Sequence, residues 1–162
     1  MNNYYLIITS KESYQIDIKN KFSIIGFPER NRNSVKKFKP GDKIIFYITK
    51  VSKFGTVAEV TSDFFYSETP IWNENFDEWP YRVKAKPLVT VNKDEQMLYI
   101  KDIWDELEFI KNKEKWGSQV MGSFRKLSEN DFNVLYKKLR EVNWWMLFHF
   151  SQELGEWIWV LY

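Results

Sequence analysis

The side chains in this sequence with the most chemistry to offer are basic groups set beside aromatic rings and glycines. Phe27 shortly precedes Arg30 and Arg32, Tyr81 adjoins Arg82, Lys115 adjoins Trp116, and Phe124 adjoins Arg125. Rings stack on nucleobases at about 1–3 kcal/mol each, while Arg or Lys neutralises the flanking phosphates. A pocket for one extruded base needs those parts plus a few backbone and hydroxyl groups along the Watson–Crick edge of the base. Catalytic patterns are weaker. Gly117 and Gly122-Ser123 imitate a phosphate-binding loop, but Ser123 stands where that loop needs lysine, and Phe124 replaces the magnesium-binding hydroxyl. Asp102, Asp105, Glu106 and Glu108 read as solvated charges on a short helix. The single histidine, His149, sits in an aromatic helical stretch as a packed or surface side chain, and nothing local supports a Ser-His-Asp triad. The absence of cysteine excludes disulfides and thiolate metal sites, and one histidine makes a histidine-based metal site improbable. No cofactor is implied, and the expected protein is not an enzyme.

The elements that must position these groups are organised around Lys39 to Ser62. Lys39-Pro40-Gly41-Asp42 is a turn signal, because proline pre-sets φ and glycine accepts the positive φ of a type II turn. Ile44 to Thr49 and Gly55 to Thr61 are β-rich runs joined by Lys50-Val51-Ser52-Lys53, which predicts a hairpin. The run from Ile44 to Ile48 is apolar on both faces, which places it in the middle of a sheet.

The rest of the chain is arranged against that strand. Tyr4 to Thr9 reads as a strand, with Ser10 capping a short helix through Gln15. Phe22 to Phe27 reads as a second strand in which Gly26 permits a bend or a close backbone approach, and Pro28 ends it. Ser34 is placed to cap a helical turn over 35–38. Asp63 to Trp79 is acidic and aromatic, a surface loop whose rings tuck back onto the body, and a loop of that length is functional or mobile. Tyr81 to Val91 alternates as a half-exposed strand with an interruption at Pro87. Ile100 to Leu107 predicts an amphipathic helix. Ser128 to Asp131 opens a long helix with Phe132, Leu135, Tyr136, Leu139 and Val142 inward, continuing through Met146 and Phe150 to a stop at Gly155. Trp157 to Tyr162 is expected to add a final strand.

With 162 residues the chain is expected to form one domain, residues 1–140, followed by an aromatic extension over 141–162 that packs on the domain or on a second copy, giving a homodimer. Residues 19–53 carry ten basic and two acidic side chains, and residues 54–80 carry none and six, so a near-neutral total hides a basic side suited to a polyanion. No basic leader precedes the first strand and no apolar run is long enough to span a membrane, so a cytoplasmic location with no membrane partner is expected.

Taken in order, these segments resemble the EVE domain, a member of the PUA-like superfamily related to YTH domains, and most closely its archaeal branch. The resemblance is carried by Ile7-Ile8-Thr9-Ser10, by Gly26-Phe27-Pro28 with Asn33, by Lys39-Pro40-Gly41-Asp42 before Phe46-Tyr47, and by Glu59-Val60-Thr61-Ser62. It continues through Pro80-Tyr81-Arg82-Val83, Leu107-Glu108-Phe109-Ile110 with Lys113 and Trp116, Gly122 to Arg125, and Glu129 to Phe132. The resemblance implies an α+β fold, a PUA-like curved mixed β-sheet or barrel with flanking helices, and a recess for a modified base in DNA or RNA. It implies pocket roles for Thr9, Ser10, Gly26, Phe27, Arg30, Asn33, Tyr47, Arg82, Trp116 and Arg125. The family usually has Trp directly before the glycine, where this chain has Ile25, so a base-stacking ring is missing from that position.

The expected function is therefore a nucleic-acid-binding reader of a modified base. The rivals are an enzyme acting on a base or nucleotide, which needs a positioned acid or base, and an interaction module working through the aromatic tail.

Overall fold

The computed structural model describes residues 1–73 and 78–153, with side chains as far as Trp145 in the second stretch. Strand β1 (Tyr4–Thr9) leads into helix α1 (Lys11–Lys19), and Ser10 caps it by accepting from the Ser13 amide at 3.1 Å. The helix continues past Gln15 because the Asn20 cap still donates its amide to Ile16. Lys21 and Phe22, at φ of 54° and 51°, then reverse the chain into β2 (Ile24–Phe27), which is shorter than the strand expected from Phe22. After Pro28, a 3-10 turn over Glu29–Asn31 passes into α2 (Arg32–Val35), earlier than the turn expected after Ser34.

The Lys39–Asp42 turn forms as expected, with Gly41 at φ 96° and the Asp42 amide donating to Lys39 O at 3.0 Å. The Asp42 carboxylate accepts from the amides of Lys39 at 2.9 Å and Asn3 at 2.8 Å, which ties the turn to the start of β1. Strands β3 (Lys43–Ile48) and β4 (Lys53–Val60) follow as the predicted antiparallel hairpin. The remaining elements are β5 (Phe65–Tyr66), β6 (Tyr81–Val89), β7 (Leu98–Tyr99), α3 (Ile100–Ile103), β8 (Phe124–Leu127) and α4 (Glu129–Glu153).

The strands make one mixed sheet in the order β2-β6-β4-β3-β1-β8, with β5 and β7 added alongside β6 and β4. Among the described residues only the β1–β3 pair is parallel, joined by a crossover through α1, β2 and α2. Strand β3 is interior, and its period-two alternation feeds two cores. Ile44, Phe46 and Ile48 join Tyr5, Ile7 and Phe22 on one face, while Ile45 and Tyr47 join Leu6, Leu135 and Leu139 on the other. Pro87 sits where β4 and β6 slip register, so its missing N–H falls at an irregular step of the ladder.

Tyr14 fixes α1 to this sheet. Its hydroxyl donates to Val91 O at 2.7 Å and accepts from the Thr56 amide at 2.9 Å, and burial pushes its phenol up to about 12. At the other end, Ser128 caps α4 by accepting from the Asp131 amide at 3.1 Å, and the Asp131 carboxylate reaches outside the helix. It accepts from the amides of Glu108 at 2.6 Å and Phe109 at 3.2 Å, docking the segment after α3 onto α4. Part of the basic block is spent within the fold, since Lys39 pairs with Asp63 at 2.7 Å and Lys43 with Glu59.

Helix α4 runs unbroken through residue 140, burying Phe132, Leu135 and Leu139 and exposing Trp144 and Trp145. Phe76, the stop at Gly155, the strand over Trp157–Tyr162, the docking of the extension, and the side chains of Met146, His149 and Phe150 lie outside the described residues. Among the described residues no helix is long and apolar enough to cross a membrane.

Candidate functional site

Where the end of β1 meets the start of α1, the fold leaves a cavity of about 260 Å³. One wall is Ile7, Ile8 and Thr9 of β1, Phe46 of β3, and Ser10, Ser13 and Asp17 along α1. Ser13 and Asp17 share a helix face four residues apart, on either side of Tyr14 in sequence, so the Tyr14 anchor also sets their depth. The facing wall is Ile25, Gly26 and Pro28 with Trp72 and Trp79, and Arg30, Gly122 and Ser123 complete the lining.

The tryptophans come from the segment between β5 and β6. Their rings meet edge to face, with centroids 5.6 Å apart and planes at 88°, which makes an apolar corner. Gly26 permits this close approach, because a Cβ there would lie 2.5 Å from the Trp72 ring and 2.8 Å from the Trp79 Cβ. Arg82, directly across the β2–β6 pair from Gly26, is 1% exposed. Its guanidinium donates to Trp79 O at 3.0 Å, Ser67 Oγ at 3.2 Å and Thr69 O at 2.7 Å, and lies 5.5 Å from the Trp72 ring centroid. Gly26→Ala should therefore push both rings out of place, shifting the tryptophan emission and lowering stability by about 1–3 kcal/mol. An unchanged emission spectrum would show that the ring corner does not depend on Gly26.

The polar equipment of the cavity is sparse and specific. The Trp72 indole N–H donates to Asp17 Oδ1 at 2.7 Å. Asp17 is 6% exposed, and burial pushes its carboxyl up to about 7, against the smaller lowering by the indole bond. The hydroxyls of Thr9, Ser10 and Ser13 are grouped on the α1 side, with the Ser10 hydroxyl donating to Ser13 Oγ at 3.2 Å. Arg30 is exposed and donates to Ser123 Oγ at 3.0 Å, which holds its charge beside the opening. Among the described residues no cluster of three metal-ligating side chains occurs.

Of the ten residues that the family resemblance nominates, the structure brings Thr9, Ser10, Gly26 and Arg30 together in this cavity. The other six lie elsewhere. Phe27 is buried among Phe38 and Phe124 at centroid distances of 5.2 and 5.5 Å. Tyr47 is buried against Phe54 on the opposite sheet face, because strand alternation gives Phe46 to the cavity. Arg82 is structural, in the position described above. Arg125 lies 4.9 Å from the Phe109 ring and donates to Gln119 O. Trp116 packs on the α4 side of the sheet with Lys101 6.0 Å from its ring, and Asn33 is exposed on α2.

Sequence reasoning missed Ser13, Asp17, Trp72, Trp79 and Ser123. Ending α1 at Gln15 hid the inward face that carries Asp17. Gly26 was legible as a place of close approach and the acidic segment as a source of tucked rings, but nothing local paired the two. Gly122-Ser123, a false phosphate loop, does reach the cavity, with Gly122 at φ 95°.

A curled mixed sheet with flanking helices, hollowed beside one end of its central strands, defines a protein of the PUA-like and YTH fold class. The chain belongs to the EVE domain family, which matches residues 3–138. A UPF0310 protein from Pyrococcus abyssi is 32% identical over 144 residues, covering 82% of this chain and 96% of that one. Two solved structures share the fold at low identity. The Mmi1 YTH domain has a TM-score of 0.60 at 15% identity, with 90% of this chain and 78% of that one covered. The YTH domain of Zygosaccharomyces rouxii MRB1, solved in complex with N6-methyladenosine RNA, has a TM-score of 0.58 at 13% identity, with 86% and 90% covered.

Proposed function

We propose that this protein is a nucleic-acid reader that holds a single modified base in the cavity beside β1 and α1. The observation that carries this reading is the cavity lining: two tryptophans forming an apolar corner, a row of hydroxyls, one buried carboxyl, and an arginine beside the opening. At about 260 Å³ the space falls below the range of roughly 300–1,000 Å³ usual for drug-sized ligands, which suits one base and not a longer stretch of strand. Arg30 is placed to meet the phosphate next to that base. The fold shared with a YTH domain solved on N6-methyladenosine RNA supports the same reading. Ile25 leaves that part of the lining aliphatic, so Trp72 and Trp79 supply the indole rings of this cavity.

The test is fluorescence anisotropy with short single-stranded oligonucleotides, modified and unmodified, at low salt. Trp72→Ala should weaken binding by about 5- to 150-fold, the equivalent of one lost stacking contact of about 1–3 kcal/mol. Arg30→Ala should reduce the salt slope by about one. Trp144→Ala, on exposed helix far along the chain, serves as the control. If no oligonucleotide, modified or not, binds at low salt, the reader assignment falls.

One feature favours an enzyme instead: Asp17 is buried in the cavity lining, and burial raises its carboxyl above the usual carboxylate range, which makes it a candidate general acid or base. Mass spectrometry of nucleosides and oligonucleotides after incubation decides this. Turnover that vanishes in Asp17→Asn would replace the reader with a base-modifying activity.

A further inference from the structure

We infer that helix α4 carries a docking surface for a second copy of this chain. The two copies meet antiparallel about Trp145, with Lys137 opposite the partner's Glu153. This surface involves no residue of the cavity lining, so it stands apart from the reader assignment.

The EVE domain match ends at residue 138, yet α4 runs on to Glu153. Leu139 is the last buried residue of the helix among those described, and Trp145 is 69% exposed. From Val142 to Gln152 the sequence holds no Lys, Arg, Asp or Glu. A helical stretch without a charged face needs cover on more than one side, and an exposed apolar surface of this kind marks an interaction site.

The charges flanking that stretch indicate what covers it. Every fourth residue of α4 from Lys137 reads Lys137, Glu141, Trp145, His149, Glu153. Residues four apart form a ridge along a helix, and two such ridges packing into each other's grooves make the commonest class of helix contact. Lys137, Glu141 and Trp145 are exposed along this ridge. A groove of about 550 Å³ runs beside it, with Tyr136 and Arg140 on the far side.

Reversed about Trp145, the row complements itself. Lys137 comes opposite the partner's Glu153, Glu141 opposite the partner's His149, and Trp145 opposite the partner's Trp145. The same row aligned in parallel would set lysine against lysine and glutamate against glutamate. A two-fold axis makes each contact twice, so one chain supplies both halves of the interface. The apolar residues supply the affinity, whereas exposed ion pairs add little and instead fix register and direction. Other occupants lack this match. After Arg140 the sequence contains no Lys or Arg, so neither a phosphate backbone nor an anionic membrane finds a cation there.

The test is sedimentation equilibrium of the full chain over a range of concentrations. Wild type should associate as a dimer, and Trp145→Asp should remain a monomer. Lys137→Glu and Glu153→Lys, each alone, set like charges together twice and should weaken dimerisation by about tenfold or more. An equal mixture of those two variants should recover the wild-type affinity, because every pair then joins one acidic and one basic side chain. Recovery on mixing would also show that neither substitution unfolds the chain. A wild type that stays monomeric at every concentration, or a dimer that survives Trp145→Asp, overturns the proposal. So do single charge variants that associate as tightly as wild type, or a mixture no tighter than its components.

Discussion

Arg82→Ala should destabilise the protein by about 3–5 kcal/mol and abolish oligonucleotide binding, although Arg82 does not line the cavity. Its guanidinium is the anchor of the tryptophan segment, with bonds to Ser67, Thr69 and Trp79 that span thirteen residues of it. A hydrogen bond to a charged donor is worth about 1.5–3 kcal/mol, and truncation leaves the Thr69 and Trp79 carbonyls without that donor. A loss of that size is a large share of the roughly 5–15 kcal/mol by which a domain is stable. Urea denaturation followed by tryptophan emission would measure it. Arg82→Lys separates the anchor from mere charge: a point cation cannot serve three acceptors set in a fork, so it should recover less than half of the stability. Wild-type stability with lost binding would instead mark Arg82 as a ligand contact and overturn its reading as an anchor.

This bears on what the sequence could disclose. The hairpin was legible because its determinants are local: Pro40-Gly41 sets the turn, and an unbroken apolar run from Ile44 to Ile48 can only be satisfied between two other strands. The apolar stripe of α4 was legible for the same reason. Arg82 was legible as a residue of consequence but not in its role. A basic residue beside Tyr81 has the same local pattern whether it faces a phosphate or two carbonyls and a hydroxyl of its own chain, and only the return of the segment over Gly26 decides between them. Tyr47 shows the complementary limit. Alternation says that Phe46 and Tyr47 face opposite ways, but not which face of the sheet is hollow. The short strands β5, β7 and β8 left little periodicity to find. They exist because neighbouring strands offered free edges, a tertiary fact.

Asp17→Asn should make the protein more stable at pH 8, by about 2–4 kcal/mol, with the advantage gone near pH 4. The sign follows from linkage. Burial raises the carboxyl from 3.8 in the unfolded chain to about 7 in the folded one, so the folded state binds the proton more tightly. Below pH 3.8 both states hold the proton and the full contribution is present. As pH rises from there towards 7, the unfolded chain releases a proton that the folded protein keeps, and stability falls by about 1.4 kcal/mol per pH unit. Above 7 both states are ionised and no further loss accrues. Asparagine has no proton to lose, and its carbonyl oxygen accepts from Trp72 as Asp17 Oδ1 does, so the variant keeps the wall and escapes the penalty. Thermal melts of both proteins at pH 4, 6 and 8 would show the curves diverging between the first and last values, and parallel curves would sink the prediction. The fold itself thus does not explain a carboxyl at this position, since an amide holds Trp72 equally well.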